Sequence, residues 1–349
     1  MSEAEKGEQE EAASMTEPGD RSQRPLTGFL LHPAAALHDP GWGHLEHQGR
    51  MRALASAVSK DMLALHDRVA QMEPRSATVA ELLRVHTQDH IDAVQTLADR
   101  AMEEERSIPI DSDTLVSGAS WDAAMGSSGA VLTAVDGIAE GLIRNAFVGT
   151  RPPGHHATSS RAMGFCLFNH VAVAARYVQD QGLAQRVLIV DWDVHHGNGT
   201  QDIFYEDADV FFLSLHQFPH YPGTGHPDET GRGHGAGTTL NVTLPPGASR
   251  EEYRDRFQGA LETTRDRFDP DFVFISSGFD VLKGDPLGGQ EVEPEDLYSF
   301  TKQVMGLAEE RAGERLVVLL EGGYVPERVG SGTVSILRAL SGLEAPDIG

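Results

Sequence analysis

Four short segments of this 349-residue chain gather the residue types that perform hydrolytic and metal chemistry. They are Thr150-Arg151-Pro152-Pro153-Gly154-His155-His156, Asp191-Trp192-Asp193-Val194-His195-His196-Gly197-Asn198-Gly199, Ser277-Gly278-Phe279-Asp280 and Glu321-Gly322-Gly323-Tyr324. Asp193, His195 and Asp280 form a candidate metal set of two carboxylates and one imidazole. Three protein ligands leave a coordination position open for water, as in catalytic rather than structural zinc. Oxygen and nitrogen donors also suit Fe(II), Co(II) or Mn(II), so donor type leaves the metal open. Asp191, Asp193 and His195 alternate, which in an extended segment turns their side chains the same way. Alone, D-x-D-x-H reads as readily as a loop of capping and turn residues. Asp280 and the histidine pair at neighbouring strand ends argue against that.

His155 and His156 follow R-P-P-G, a stiff turn that fixes chain direction and ends in a glycine suited to close approach. A neutral imidazole there would accept a proton from water and, once protonated, return it to a departing amine. Tyr324, after two glycines, would donate its hydroxyl hydrogen to a developing oxyanion. Rival chemistries find no motif. The chain has no G-x-x-x-x-G-K-[ST] loop, and Gly197-Asn198-Gly199 is a lone G-x-G without the rest of a dinucleotide fingerprint. Gly126-Ser127-Ser128-Gly129 falls within a helical pattern and is no nucleophile elbow. Cys166, in the apolar run Gly164-Phe165-Cys166-Leu167-Phe168, reads as a small buried residue rather than a nucleophile.

The elements that must carry these segments follow from hydropathy. Short β-branched or aromatic runs begin at Gly28 (GFLL), Ala146 (AFVG), Val187 (VLIV), Val210 (VFFLSL), Thr239 (TLNVTL), Phe272 (FVFIS) and Leu316 (LVVLL), and each predicts a buried strand. Helical spacing over 117–141, 167–182, 249–268 and 293–311 fills several of the intervals. Strand, helix, strand at this cadence predicts an α/β domain whose mostly parallel sheet is covered on both faces. Ligands of such sheets bind beyond the carboxyl ends of the strands. The four polar segments follow AFVG, VLIV, FVFIS and LVVLL. Residues 1–25 are acidic and nearly free of large apolar side chains, which predicts a disordered tail. Residues 26–349 read as one folded domain without repeats or linkers.

Hydrophobic residues make up 40% of the chain, enough for a sizeable core. Lys+Arg number 28 against Asp+Glu 53, a formal charge of −25. Such a surface is unsuited to nucleic acid, whose binding rests on Lys and Arg neutralising phosphates. The lysines are Lys6, Lys60, Lys283 and Lys302, and the acidic excess suits a salty cytoplasm or a cationic substrate equally. A single cysteine excludes an internal disulfide and any two-cysteine zinc site. No apolar run nears the roughly 18 residues of a membrane span, and the acidic start lacks a signal peptide's basic and apolar regions. The expected protein is soluble and cytoplasmic, contacts neither nucleic acid nor membrane directly, and is compatible with a homo-oligomer.

RPPGHH (151–156), GFCLFN (164–169), VDWDVHHGNGTQ (190–201), SLHQF with YPGTG (214–225), SSGFDVLKGDPLGG (276–289) and LEGGY (320–324) together resemble the zinc-dependent histone deacetylases. The bacterial relatives, histone deacetylase-like and acetylpolyamine amidohydrolases, share the likeness, which runs from about residue 26 to 345. It implies the arginase/deacetylase fold, a three-layer α/β/α domain around an eight-stranded, mostly parallel sheet. It implies one catalytic Zn²⁺ on Asp193, His195 and Asp280. His156 would be the general base and acid, His155 its electrostatic partner and Tyr324 the oxyanion donor. One or two structural K⁺ ions are implied as well. The first would use the Asp191 and Ser214 side chains with carbonyls of Asp191, Asp193, His195 and Leu215. The second would use carbonyls near Phe204, Asp207, Val210 and Thr238. Asp191 would also orient His155 and fix its tautomer. Phe165 and Tyr221 stand where the family has the aromatic walls of an acyl-lysine tunnel, lined too by Gly164, Leu287 and Gly323.

Departures and variants sort the chain within that family. Asn198 behind the second histidine resembles class II, and Tyr324 in place of a histidine implies full activity. Leu287 stands where polyamine-selective relatives carry Glu. The rim loop Leu37 to Glu46, which includes Trp42, departs from the usual HPE motif. The leading expectation is hydrolysis of acetyl-lysine, or a related acyl-lysine, in proteins or peptides, releasing acetate and free lysine. Deacetylation of small acetylated amines such as acetylpolyamines is the alternative. A non-catalytic acyl-lysine reader conflicts with the complete set of ligands, histidines and phenol. An arginase-like ureohydrolase would need a dinuclear manganese site with more carboxylates.

Overall fold

The seven apolar runs become seven strands of one sheet in the computed structural model, which describes residues 27–346. The tail expected at 1–25 lies outside the described residues. The chain runs β1 (Thr27–Leu30), α1 (Gly49–Lys60), α2 (Met62–Leu65), β2 (Val69–Gln71), α3 (Val79–Leu82), α4 (Gln88–Glu103), β3 (Ile108–Pro109), β4 (Leu115–Val116), α5 (Ser120–Ala139) and β5 (Asn145–Val148). It continues through α6 (His170–Asp180), β6 (Val187–Asp191), α7 (Asn198–Phe204), β7 (Val210–Gln217), β8 (Thr239–Leu244), α8 (Arg250–Arg267), β9 (Phe272–Ser277), α9 (Pro294–Arg311), β10 (Leu316–Leu320) and α10 (Pro326–Leu340).

The large sheet has eight strands in the order β2-β1-β5-β10-β9-β6-β7-β8, and every pairing is parallel. Side chains alternate across it with a strand's two-residue period. Phe147, Leu188, Val190, Phe211, Val273 and Val318 face one core, shared with residues of α1, α8, α9 and α10. Ala146, Val148, Ile189, Phe212, Phe274 and Val317 face the other, shared with α4, α5 and α6. Both faces are therefore covered, in three layers.

The four expected helices form, and the Asn169 and Ser249 side chains cap α6 and α8. Asn169 Oδ1 accepts from Ala172 N at 3.0 Å, so α6 begins at 170 rather than 167. Ser120 Oγ accepts from Ser117 N at 2.7 Å, and α5 starts there rather than at 117. The strand β2 escaped hydropathy because it is three residues long and only half-buried. α10 carries Gly330 and Gly332, residues of low helix propensity. A β-carbon on Gly330 would stand 2.9 Å from Ala57 Cβ and 3.1 Å from the Ala53 carbonyl oxygen. The glycine lets α10 press against α1, a reason visible only in the packed structure.

Two helical glycines separate packing from propensity. A β-carbon on Gly129 in α5 would stand 2.1 Å from the Arg75 carbonyl oxygen and 2.4 Å from Ala77 N, whereas one on Gly259 in α8 meets nothing within 4 Å. Gly129→Ala is expected to destabilise by about 1–3 kcal/mol through overpacking. Gly259→Ala is expected to stabilise by about 0.5–1 kcal/mol through helix propensity. Paired denaturation curves giving shifts of the same sign would contradict the seating of α5.

Candidate active site

β6 ends at Asp191, and the chain then curls through two side-chain-to-backbone turns. Asp191 Oδ1 accepts from Asp193 N at 3.0 Å, and Asp193 Oδ1 accepts from His195 N at 2.9 Å. The extended run expected for Asp191, Asp193 and His195 therefore stops at Asp191, and the three side chains do not share one target. Asp191 turns to His155, while Asp193 and His195 meet Asp280 from beyond the end of β9. Donor atoms of Asp193, His195 and Asp280 all lie within 4.8 Å of one another, and all three residues are buried.

This cluster carries more negative charge than its own imidazole balances. His195 Nδ1 lies 3.0 Å from Asp193 Oδ1 and 3.2 Å from Asp280 Oδ2. Asp280 Oδ2 is nevertheless buried without a directed hydrogen bond. Burial and the neighbouring Asp193 push the Asp280 carboxyl up to about 7. Buried carboxylates of this kind need a cation or a full set of donors. Two glycines leave the space: a β-carbon would stand 2.2 Å from Asp193 Oδ2 at Gly278 and 2.1 Å from Asp280 Oδ2 at Gly322. The residues present fit a divalent metal ion.

The adjacent imidazoles differ in their partners and hence in charge. His155 Nδ1 lies 2.9 Å from Asp191 Oδ2. Burial opposes its charged form, but Asp191 and Asp193 outweigh burial and raise its pKa to about 10. His156 Nδ1 lies 2.7 Å from Asn198 Oδ1, a neutral acceptor. Burial, then the charge of His155, holds His156 well below the usual histidine range. Because Asn198 Oδ1 only accepts, His156 carries its proton on Nδ1 and keeps Nε2 as a base. Tyr324 is buried, and burial pushes its phenol well above the ordinary tyrosine range. Its backbone N–H donates to Asp285 Oδ2 at 2.7 Å.

A pocket of about 680 Å³ leads to these groups, lined by His156, Gly164, Phe165, His195, Tyr221, Leu287 and Tyr324 among others. Phe165 stands edge-on to Tyr324 at 5.8 Å, and Tyr221 edge-on to His156 at 5.2 Å. Gly164 permits this closeness, since a β-carbon there would meet His156 Cδ2 at 2.4 Å. Gly323 does not reach the pocket lining; its β-carbon position is filled by Phe279, and its carbonyl accepts from Arg50 Nε. Ser214 is Asp191's register partner across β6 and β7 and lies 2.9 Å from His216 Nδ1; Leu215 is buried beside it. Phe204, Asp207 and Thr238 gather near Val210, which opens β7. There Asp207 N donates to the Phe204 carbonyl and Thr238 Oγ1 to the Asp207 carbonyl, each at 3.0 Å. Cys166 is buried, and burial pushes its thiol well above its ordinary range, as suits a packed residue.

Several residues at the site gave no local signal. Glu46, Arg50 and Arg151 form a fully buried ion cluster: Arg50 Nη1 and Arg151 Nε both donate to Glu46 Oε1 at 2.8 Å. The cluster anchors the rim loop, whose Gly43, His44 and Leu45 line the pocket while Trp42 is fully exposed. His220 stacks on His195 at 4.8 Å and lies 2.8 Å from the Leu287 carbonyl. Asp113 also lines the pocket. Charged residues this far apart in sequence meet only through the fold.

Three layers around an all-parallel eight-stranded sheet, with a two-aspartate, one-histidine cluster at the strand ends, define the arginase/deacetylase class. Comparison with known proteins agrees. Residues 44–340 match the histone deacetylase domain. A probable deacetylase of Archaeoglobus fulgidus is 33% identical, over 91% of this chain and 87% of its own. A histone deacetylase-like amidohydrolase of Pseudomonas aeruginosa is 35% identical, over 92% of this chain and 81% of its own. A crystal structure of the HDA15 HD domain matches with a TM-score of 0.84 at 36% identity, covering 93% of this chain and 91% of that one. The chain belongs to the histone deacetylase family, a family of deacetylases and amidohydrolases.

Asp193→Ala, His195→Ala and Asp280→Ala are each expected to abolish stoichiometric binding of a divalent ion, read by metal analysis of the purified protein. Each would remove one of the three candidate ligands, and no second cysteine can substitute. One ion per chain in Asp280→Ala would contradict the ligand set.

Proposed function

We propose that the protein is a zinc-dependent deacylase that hydrolyses acetyl-lysine, or a related acyl-lysine, in proteins or peptides, releasing acetate and free lysine. One observation carries the reading: an aromatic-walled pocket reaches His195 of the Asp193–His195–Asp280 cluster, with His156 and Tyr324 also in its lining. Asp193, His195 and Asp280 would hold the ion, which supplies Lewis-acid polarisation of an amide carbonyl. His156 takes a proton from the attacking water at Nε2 and hands it to the departing amine. Asn198 fixes the tautomer that makes this possible, and His155, paired with Asp191, contributes positive charge beside it. Tyr324, protonated because it is buried, donates to the oxyanion. Phe165 and Tyr221 flank the apolar stem of the lysine and exclude water.

The same reading includes one or two K⁺ ions, the first at Asp191, Ser214, Asp193, His195 and Leu215, the second near Phe204, Asp207, Val210 and Thr238. The burial of Asp191 opposite Ser214 supports the first. No helix among the described residues is long and apolar enough to cross a membrane. A cytoplasmic setting is part of the proposal. Small acetylated amines such as acetylpolyamines are a second reading, favoured by Asp113 in the pocket lining and by the net charge of −25. Competition among acetyl-lysine peptides, longer acyl-lysine peptides and acetylpolyamines for the zinc-loaded enzyme separates the two.

His156→Ala should lose about 10²- to 10⁴-fold in kcat, the usual worth of acid–base catalysis. Asn198→Ala should lose roughly 10- to 100-fold, because it disturbs only orientation and tautomer. Equal losses in steady-state kinetics would remove the distinction. At the mouth, Leu287 is pinned through its backbone to Asp285 Oδ1 and His220, so its side chain can change without moving the loop. Leu287→Glu is expected to shift relative kcat/KM toward acetylpolyamines by about 5- to 150-fold, with zinc content intact. A wild type that already prefers acetylpolyamine, with Leu287→Glu inert, would sink the acyl-lysine assignment.

A further inference from the structure

The segment after β10 touches several parts of the site. Gly322 N donates to Asp193 Oδ2 at 2.9 Å, and Tyr324 N donates to Asp285 Oδ2. The Glu321 and Gly323 carbonyls accept from the Arg50 guanidinium. The Glu321 side chain, fully buried, makes the remaining link. Its Oε2 accepts from Gly154 N at 2.7 Å and from His155 N at 3.1 Å, and its Oε1 accepts from Ser276 Oγ at 3.0 Å. One carboxylate oxygen thus grips the two amides that lead directly into the histidine pair.

We infer that Glu321 is a positioning residue that registers the His155–His156 pair against the Asp193–His195–Asp280 cluster and Tyr324. It touches neither the pocket lining nor the donor atoms of the cluster, and acts through the backbone of the R-P-P-G-H-H turn. The inference rests on the reading of His156 as the proton carrier. A base must lie within hydrogen-bond reach of the proton it moves, and a misplacement of about 1 Å costs about 10²-fold in rate. What Glu321 supplies is reach, since amide donors need an acceptor at a fixed place, whether charged or neutral.

Reach and charge separate in two conservative variants. Glu321→Gln keeps the chain length and an acceptor oxygen; Glu321→Asp keeps the charge but withdraws it by one methylene. With acetyl-lysine peptide and zinc-loaded enzyme, Glu321→Asp is expected to lose about 10²-fold in kcat, with KM and zinc content unchanged. Glu321→Gln is expected to stay within about 10-fold of wild type. Retained activity in Glu321→Asp, loss in Glu321→Gln, a change confined to KM, or loss of zinc would each overturn the inference. His156→Ala measured alongside keeps the two claims apart. An active His156→Ala enzyme sinks the reading on which the inference rests; an inactive one beside an active Glu321→Asp enzyme sinks the inference alone.

Discussion

Four carboxylates, those of Asp191, Asp193, Asp280 and Glu321, are fully buried at adjoining strand ends, and the surrounding structure answers to their charge. A buried carboxylate is costly unless it is paired or fully hydrogen-bonded. Asp191 is met by His155, and Glu321 by two amides and a hydroxyl. Asp193 receives the His195 and Gly322 amides. Asp280 accepts from Val194 N through Oδ1, but its Oδ2 has no directed donor. The unmet demand for positive charge falls between Asp193, His195 and Asp280, the place where a metal ion would be held. Charge compensation and the proposed chemistry thus share one geometry.

Strand order makes this concentration possible. β5, β10, β9 and β6 are consecutive in the sheet, although they are far apart in sequence. Parallel pairing brings all four carboxyl ends to one edge, and the register sets Asp191 beside Ser276 and Leu320 beside Ser277. Four loops then converge without crossing, each carrying one part of the site. The buried apolar layers on both faces hold that edge still, which a general base and an oxyanion donor require.

The pocket divides its work by depth. Its inner end holds His156, His195 and Tyr324, all buried. Its walls are Phe165 and Tyr221, and its mouth mixes the apolar Leu287 with the carboxylate of Asp113. Arg50, paired with Glu46 in the interior, fixes the rim loop to the segment that carries Tyr324, and Arg151 binds the same Glu46 carboxylate. Changes in that loop can therefore alter selection at the mouth while the deep end keeps its arrangement.

The sequence by itself determined the strands of the sheet, because β-branched runs such as VLIV and FVFIS bury both faces and carry a signal within a few residues. It made the candidate metal set and the histidine pair legible for the same reason: D-x-D-x-H, SSGFD and RPPGHH are local, and each follows a recognisable strand. Short or glycine-bearing elements were harder. β2 is too brief for any period to register, and α10 looks broken at Gly330 until α1 is packed against it. Tertiary structure alone decided that Gly323 stays behind the pocket and that Glu46 meets Arg50 and Arg151. It also placed the Glu321 carboxylate under the histidine turn. Each of these depends on which strand ends become neighbours, and that is set by the packing of the whole sheet rather than by any preference of the residues concerned.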